Sequence, residues 1–483
     1  LEVKEVAETI RSTKIEIDLD DRDAGGANIQ KRKCLELTQK ILNEARVFYV
    51  TFFLSLPEKF DERITYYSEK HGEYRERKLN SKELLAWAES ITVSTREHPD
   101  VLDEQNFSLK FSGMPVVYRR SVINDAIGKV RSYLSHLKKW EKSGEGKGKP
   151  GWPKADNYPV LYKGTYSLQL IGLDRKGSFV RIKVFDGSKW VWVNYPVKIG
   201  RWQEKRLAEP GWETKSPKLV IGAKKIFLSV PQAREVRARK VEESKLDPEL
   251  VTVGVDLNVK NLAVVTVMKS GKVIETVFIK DSGLDRHRYL HLKLISKHQR
   301  QSGKAVRGER FDWRLWSHIK RTNLDFAHKV SRKIADVCAK YPRCVLIFER
   351  LGRSGHGKGG KARRINRKQA NQLRGLIRDL SKHKAFQYGT VTVETDPHGT
   401  SHYCARCGEK GERFSFKNGK RVKRGWGKLF YCPHCGYEVN ADFNASVNVH
   451  HSFYREYHWR IEGKARSGLK RPARLQAGWE KLP

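Results

Sequence analysis

Two closely spaced cysteine pairs are the feature of this sequence that most restricts its fold. The segments CARCG and CPHCG place Cys404, Cys407, Cys432 and Cys435 in two CxxC motifs, separated by residues 408–431. Paired motifs of this kind predict a structural zinc site with four thiolate ligands and no open position for chemistry. A redox CxxC and ordinary core cysteines are the alternatives, and the pairing and the polar, glycine-rich surroundings disfavour both.

Charge and length restrict the function next. The chain has 483 residues, and 96 Lys and Arg against 55 Asp and Glu leave a formal net charge of +41. A chain of this length is expected to form several domains. The charge excess, together with an aromatic content of 10%, predicts a nucleic-acid partner. The alternative is a solvated basic surface without such a partner.

Membrane and secretion signals are missing from the sequence. No run of 18 apolar residues occurs, and the first residues lack a signal-peptide pattern. Cys34, Cys338 and Cys344 lie in apolar-periodic segments and are predicted to be core residues. We therefore expect no membrane partner and a reducing, cytoplasmic location.

The N-terminal half changes from a helical to a strand pattern. Residues 12–20 alternate as a strand does, and residues 29–56 and 116–140 have helical periodicity. The first of these helices has its predicted apolar stripe at Leu37, Ile41, Ala45, Phe48 and Phe52. A Gly- and Pro-rich break at 142–154 precedes short strand patterns over 155–235. These strands predict a small barrel, completed by the strand near residue 15, with the helical region as an insertion.

From residue 250 the chain alternates between strand and helix patterns. Strands are predicted in VTVGVDLN, LAVVTVM, KVIETVFI, CVLIFER and GTVTVET. One long helix with Trp316, Ile319 and Phe326 among its apolar positions is predicted before CVLIFER, and a second helix over 365–386.

Three acidic residues stand at the ends of these elements. Asp256 and Glu349 close apolar strands, and Asp442 begins the helical stretch after the cysteines. Taken singly, such an Asp is usually a turn former and such a Glu an ion-pair partner. Together, three converging carboxylates would suit two Mg²⁺ ions about 4 Å apart, which hydrolyse a phosphodiester.

Two basic segments flank these sites. Residues 408–431 combine basic residues with Phe414, Phe416 and Trp426, a mixture that suits single-stranded nucleic acid or a hydrophobic mini-core. Residues 350–378 contain many Lys and Arg and no acid, so they would hold phosphates near the metals or form a flexible basic linker.

At this point the motifs resemble a known family. The order GVDLN, IFERL, HGTSHYCARCG, CPHCG and NADFNASVNV over residues 250–452 is similar to that of the transposon-encoded TnpB nucleases and the compact type V CRISPR effectors. The resemblance implies that Asp256, Glu349 and Asp442 are the RuvC catalytic acids. It also implies that the four cysteines form a target-nucleic-acid-binding zinc finger, and that a guide RNA directs cleavage.

The expected fold class is a multidomain α+β protein. A β-barrel wedge domain with an inserted helical recognition region would precede a RuvC (RNase H-like α/β) nuclease domain with an inserted four-cysteine zinc finger. The expected segments are, in order, the first wedge strand at 1–26, the helical recognition region at 27–150, the remaining wedge at 151–248, RuvC at 249–397, the zinc finger at 398–439, the last part of RuvC at 440–458 and a basic tail at 459–483.

The expected function is RNA-guided cleavage of target DNA at a single RuvC site in CRISPR-type defence. Guide RNA, two Mg²⁺ and structural Zn²⁺ would be the cofactors, and the chain would act as a monomer or as a homodimer on one guide. The alternatives are a transposon-encoded TnpB-like nuclease, a guided DNA binder that silences without cutting, and an unguided RuvC-type resolvase or transposase.

Overall fold

The computed structural model describes most of the chain, in two compact units. The N-terminal unit is Ile10–Arg234, and the C-terminal unit is Leu1–Thr9 with Glu235–Pro483. The described residues are 4–19, 27–69, 72–96, 98–144, 148–154, 156–169, 178–239, 241, 244, 247–257, 261–280, 283–303, 311–350, 373–418, 420–423 and 427–461. Within these residues no helix is long and apolar enough to cross a bilayer.

The N-terminal unit combines a sheet with a helical region. The strands are β1 (Lys4–Ile17, which begins in the other unit), β2 (Arg63–Ser68), β3 (Glu73–Lys78), β4 (Tyr166–Gln169), β5 (Phe179–Phe185), β6 (Trp190–Lys198), β7 (Glu213–Thr214), β8 (Lys218–Ile221) and β9 (Ile226–Arg239). The helices are α1 (Ala27–Ser55), α2 (Ser81–Thr92), α3 (Phe107–Lys110), α4 (Val116–Lys142) and α5 (Arg201–Leu207), with 3-10 turns at Pro57–Phe60 and Asp103–Gln105.

The sheet of this unit has the strand order β4-β5-β6-β1-β9-β7, and β8 also pairs with β9. Several short strands over 155–235 are therefore confirmed, while their closure into a barrel stays a prediction. A separate hairpin, β2–β3, and the helix α2 were not predicted. Helix α2 has a sequence signal in Asn80 and Glu83, which form a reciprocal capping box.

The predicted helices over 29–56 and 116–140 are confirmed as α1 and α4, and the predicted stripe of α1 is confirmed in part. Ala45 and Phe52 of that stripe are buried and its other three residues are partly buried, but the stripe missed the buried Leu35, Leu42, Tyr49 and Phe53. Residues one position apart on a helix point about 100° apart, and an apolar stripe this wide leaves its centre undetermined by periodicity alone.

The C-terminal unit contains the remaining elements. They are β10 (Val251–Asp256), β11 (Asn261–Lys269), β12 (Lys272–Lys280), α6 (Leu284–Gln301), α7 (Trp313–Ala339), β13 (Cys344–Glu349), α8 (Arg374–Phe386), β14 (Val391–Thr395), β15 (Glu412–Lys417), β16 (Lys420–Lys423), β17 (Leu429–Tyr431), β18 (Glu438–Asn440) and α9 (Ala441–Ile461).

A sheet of order β12-β11-β10-β13-β14 forms the centre of this unit. β12, β11 and β10 are antiparallel neighbours, whereas β13 runs parallel to both β10 and β14. Val345 and Ile347 pack with Val449 of α9, and the alternate residues Leu346 and Phe348 belong to the core that includes α7 and α8. Coverage of both faces explains why β10 and β13 are nearly continuous apolar runs.

The long helix predicted before β13 is confirmed as α7, which contains Trp316, Ile319 and Phe326, whereas the preceding helix α6 was not predicted. Gly303 has φ +75° at the end of α6, and the Ser302 amide donates to the carbonyl of His298. A glycine in the left-handed region just beyond the last turn is the usual way in which a helix ends. Apolar periodicity alone does not reveal this stop.

A small sheet has the strand order β16-β15-β17-β18, and the second cysteine pair lies between its strands β17 and β18. Helix α9 begins at Ala441, directly after β18 ends at Asn440. The last strand of the small sheet and the first turn of α9 are therefore joined without a loop, which places residue 442 close to the cysteine module.

Candidate active site and zinc module

Asp256 and Glu349 lie at the same edge of the central sheet. β10 and β13 are parallel with Val255 opposite Phe348, so the next residues, Asp256 and Glu349, are the neighbouring strand ends. Asp256 is 8% exposed and Glu349 is partly buried. The Thr400 hydroxyl donates to Glu349 Oε1 at 2.6 Å. The prediction from sequence that both acids end buried strands is confirmed.

Asp442 reaches this edge from the first turn of α9. Asn440 caps the helix, since its Oδ1 accepts hydrogen bonds from the Asp442 and Phe443 amides at 2.9 and 3.1 Å. Arg413 of β15 donates from Nη2 to Asp442 Oδ1 at 3.1 Å. Asp442 is 9% exposed, so this ion pair is largely shielded from water.

Electrostatics shows that the three carboxylates are neighbours. Burial, then the charge of Glu349 and then that of Asp442 raise the pKa of the Asp256 carboxyl to about 8, against the opposing influence of Arg374 and Arg413. Burial also raises the pKa of Glu349, although the Thr400 hydrogen bond and Arg374 lower it. Like charges in a buried site repel one another, and a cation relieves that cost.

The residues suit divalent magnesium by their chemistry. Carboxylate oxygens are the ligands that Mg²⁺ prefers, and the buried negative charge requires a positive partner. Among the described residues, however, the carboxylates of Asp256, Glu349 and Asp442 do not form a group whose ligand atoms all lie within 4.8 Å of one another. The carboxylates are thus less tightly grouped than the cysteine thiols, and a pair of ions spans a wider ligand set than one ion does.

A glycine lets α9 approach the sheet closely enough for Asp442 to meet Asp256. A Cβ built at Gly254, two residues before Asp256, would lie 2.5 Å from His450 Nε2 and 2.8 Å from the Ser446 carbonyl oxygen. His450 and Ser446 both belong to α9. The small residues of NADFNASVNV had suggested such a packing, but neither Gly254 nor His450 was predicted.

His450 fixes the contact through buried hydrogen bonds to two adjacent strands. Its Nδ1 lies 2.7 Å from Thr252 Oγ1, and its Nε2 lies 3.0 Å from Thr266 Oγ1 and accepts from the Gly254 amide at 3.2 Å. Nε2 also lies 3.2 Å from the Thr266 carbonyl oxygen, which can only accept, so either tautomer of the ring makes a hydrogen bond to the sheet. Burial lowers the pKa of His450 to about 3, so the ring is neutral at physiological pH.

The four predicted zinc ligands form one cluster. The thiols of Cys404, Cys407, Cys432 and Cys435 lie within 4.8 Å of one another. The Cys404–Cys435 and Cys407–Cys432 sulfur atoms are 3.7 and 3.5 Å apart, far beyond the length of a disulfide bond. All the cysteines are free. An all-thiolate group at this separation fits a tetrahedral zinc ion.

Each CxxC closes a similar turn. The Gly408 amide donates to the Cys404 carbonyl and the Gly436 amide to the Cys432 carbonyl, both at 2.9 Å. Gly408 and Gly436 have φ +77° and +71°, which favours glycine over other residues. The glycine after each CxxC is therefore required by the turn itself.

Two asparagines on one face of α9 connect the cysteine module to the acidic edge. Asn444 and Asn448 each donate to the Tyr403 carbonyl, at 2.8 and 2.7 Å, and Asn448 also donates to the Thr400 carbonyl at 2.9 Å. Asn444 Oδ1 accepts from the Ala405 amide at 2.9 Å. The segment that leads into Cys404 thus orients both α9 and Thr400, the partner of Glu349.

Parts of the two predicted basic segments lie outside the described residues. These are 351–372 after Glu349, and 419 and 424–426 in the cysteine module, which include Trp426. Of the two other aromatic residues predicted there, Phe414 is 4% exposed and Phe416 is 56% exposed. Phe414 is therefore a buried residue of the cysteine module, whereas Phe416 presents its ring to solvent.

Comparison with known proteins gives matches to both halves of the chain. A family model described as Cas12f1-like, TNB domain, matches residues 375–449, and one described as the Aq_aa04 family matches residues 20–186. The TnpB-like protein aq_aa05 of Aquifex aeolicus (strain VF5) is 30% identical over 287 residues, which are 54% of this chain and 86% of that protein.

Two further matches concern CRISPR proteins. The CRISPR-associated endodeoxyribonuclease Cas12f1 of Sulfoacidibacillus thermotolerans is 36% identical over 67 residues, 14% of this chain and 14% of that protein. The solved Cas12f1–sgRNA–target DNA complex contains a chain that superposes with a TM-score of 0.52 at 13% identity, over 92% of this chain and 98% of that one. At that identity the superposition shows similarity of fold alone.

Proposed function

The chain belongs to the family of TnpB-like proteins and compact type V CRISPR nucleases, and on that basis we propose that it is an RNA-guided DNA endonuclease. The proposed active site consists of Asp256, Glu349 and Asp442. The observation that carries this proposal is that Asp256 and Glu349 end neighbouring parallel strands, with Asp442 close enough for its charge to raise the pKa of the Asp256 carboxyl after burial and Glu349. Perturbed, clustered carboxylates at the end of parallel strands are typical of catalytic sites.

The central sheet supports a RuvC-type assignment. Three antiparallel strands followed by two parallel strands, in the order β12-β11-β10-β13-β14, are consistent with the proposed RNase H-like domain. The acids stand on the first strand, on the fourth strand and on a helix that packs against the sheet. We assign residues 249–397 and 440–458 to this domain and 398–439 to the target-nucleic-acid-binding zinc finger, and the family match over 375–449 supports the latter.

Magnesium bound by the three acids would activate the attacking water and stabilise the leaving oxygen. The protein supplies the orientation. Thr400 holds Glu349, the Asn440 cap fixes the backbone at Asp442, and Arg413 holds the Asp442 side chain. Gly254 and His450 set the separation between the strand and the helix that carry these acids.

Guide RNA and target DNA are the proposed partners. The net charge of +41 favours binding to the phosphates of a nucleic acid. We propose that the helical region over 27–150 and the sheet that follows it form recognition and wedge domains that hold the guide–target heteroduplex by its backbone shape.

Cleavage is tested with guide, target DNA and Mg²⁺. Asp256→Ala should abolish cutting while guided binding stays within about threefold, and the control Asp336→Ala, an exposed acid of α7, should cut as the wild type does. Cutting by Asp256→Ala would remove that acid from the mechanism. A wild type that binds its target but never cuts would indicate a silencing protein instead.

The biological role is decided by the RNA that purifies with the protein. We propose CRISPR-type defence, which predicts a repeat-derived guide. The alignment over 86% of a TnpB-like relative favours a second candidate, a transposon-encoded nuclease, which predicts an RNA from the transposon end. Absence of a defined RNA, with cleavage of structured DNA, would point to an unguided resolvase or transposase. Sequencing the bound RNA distinguishes these outcomes.

A further inference from the structure

Three histidines meet between α6 and α7, apart from the acids and the cysteines. His287 and His291 are four residues apart on α6 and therefore share one face of that helix, and His318 faces them from α7. The ring centroids are 4.4 Å apart for His287–His291, 4.9 Å for His291–His318 and 5.2 Å for His287–His318. One ring nitrogen of each lies within 4.8 Å of those of the others.

The hydrogen bonding of His291 leaves a nitrogen available to a ligand. Its Nδ1 lies 2.8 Å from the carbonyl oxygen of His287. A carbonyl oxygen only accepts, so Nδ1 carries the proton and Nε2 of the neutral ring keeps a lone pair. Metal-binding histidines in proteins usually donate their second ring nitrogen in this way, which fixes both the tautomer and the ring orientation.

His287 supplies a second, independent observation. Its Nδ1 is buried and makes no hydrogen bond to any described residue. A buried polar atom without a partner is costly, and native structures usually satisfy such an atom with protein, water or an ion. The ring that holds this nitrogen stands beside two other imidazoles, so an ion bound through Nδ1 would satisfy it.

We propose that His287, His291 and His318 bind one divalent transition-metal ion, with Zn²⁺ as the ion of first choice. Imidazole nitrogens suit Zn²⁺ and its neighbours in the first transition row, whereas Mg²⁺ and Ca²⁺ prefer oxygen. Three protein ligands leave one tetrahedral position for water or another ligand. His318 is exposed, which gives the ion a route from solvent.

Such a site would cross-link two helices. Residues 302–312 connect α6 to α7. His298, near the end of α6, already pairs with Asp312, which directly precedes α7, at a distance of 3.0 Å. A metal bound at the histidine cluster would add a second link between α6 and α7. The expected consequence is a thermal stability that depends on Zn²⁺ beyond the amount needed by the four cysteines.

The test uses full-length protein copurified with its RNA. After dialysis against Zn²⁺, elemental analysis should give two Zn²⁺ per chain for the wild type, and a titration of protein containing one Zn²⁺ should show one further site. His318→Ala should retain one Zn²⁺ and bind the second at least about tenfold more weakly. Loss of a residue that only supports a metal ligand already weakens metal binding about 10–100-fold, so loss of a ligand should weaken it at least as much.

A matched control lies on the same helix. His328 is also an exposed histidine of α7 and is not part of the cluster, so His328→Ala should bind two Zn²⁺ and melt with the wild-type response to the metal. His291→Gln tests the cluster from the other helix and should behave as His318→Ala does.

Several results would overturn the proposal. One is a wild type that binds only one Zn²⁺, and another is His318→Ala with unchanged stoichiometry and affinity. If His318→Ala loses no metal but weakens nucleic-acid binding relative to His328→Ala, the stacked rings form a nucleic-acid surface instead. Cu²⁺ bound by the wild type should show nitrogen hyperfine coupling that His318→Ala alters, a readout that does not depend on stability.

Discussion

Gly254→Ala is the substitution that most directly tests how the proposed active site is assembled. The new methyl group would lie 2.5 Å from His450 Nε2, and 2.8 Å from both His450 Cδ2 and the Ser446 carbonyl oxygen. One of these neighbours is backbone of α9, so the helix must move away from β10. Overpacking of this kind costs about 1–3 kcal/mol.

The displaced ring adds to that cost. His450 Nε2 accepts from the Gly254 amide, and both ring nitrogens lie close to buried threonine hydroxyls. Losing one such hydrogen bond costs about 1 kcal/mol more. We therefore expect Gly254→Ala to destabilise the C-terminal unit by roughly 2–4 kcal/mol. Since 1 kcal/mol corresponds to about 2–4 °C for a unit of this size, its melting temperature should fall by about 4–16 °C.

Cleavage should respond more strongly than stability does. α9 carries Asp442 and β10 carries Asp256, so a shift of about 1 Å between them should reduce single-turnover cleavage about 100-fold at a temperature well below the melt. Guided DNA binding should change by less than about threefold.

The control is the same substitution at an open position. A Cβ at Gly128, inside α4, meets no atom within 4 Å, so Gly128→Ala should be neutral or stabilise the protein by about 0.5–1 kcal/mol. A Gly254→Ala protein that melts and cuts as the wild type does would refute the close-approach argument.

Three further predictions test other parts of the site. Thr400→Val removes the hydroxyl that donates to Glu349, so single-turnover cleavage should fall about 10–100-fold, while Thr400→Ser should retain most of it; equal rates for the two variants would contradict the role of the hydroxyl. Cys432→Ser should lose the structural zinc, measurable by elemental analysis, and also lower cleavage because the segment before Cys404 holds α9; full activity without zinc would separate the two sites. Burial lowers the pKa of His450 to about 3, whereas the same side chain in the unfolded protein has a pKa of about 6.5. The stability that the neutral ring contributes is therefore present above about pH 6.5 and is lost as the pH falls toward about 3, with a slope of up to about 1.4 kcal/mol per pH unit. His450→Gln should lack that part of the slope in denaturation measured from pH 7 to pH 5, and equal slopes would contradict a buried neutral ring.

Local chemistry along the chain determined much of this protein. The paired CxxC motifs identified all four members of the thiol cluster, because residue type and spacing along the chain specify the ligands of such a metal site. Short apolar runs located β10 and β13, and with them the strand ends at Asp256 and Glu349. Helices α1 and α4 were likewise visible in their periodicity, which also identified part of the buried face of α1.

Only the tertiary structure decided which distant residues meet. Gly254 and His450 are 196 positions apart, and nothing local in either segment shows that the ring of one occupies the space above the other. The same holds for Thr400 beside Glu349 and for His318 beside the two histidines of α6, a helix that was not predicted. Sequence periodicity reports which face of an element is apolar, whereas the partner of a buried polar group depends on how whole elements pack, and that packing is set by the sum of many long-range contacts.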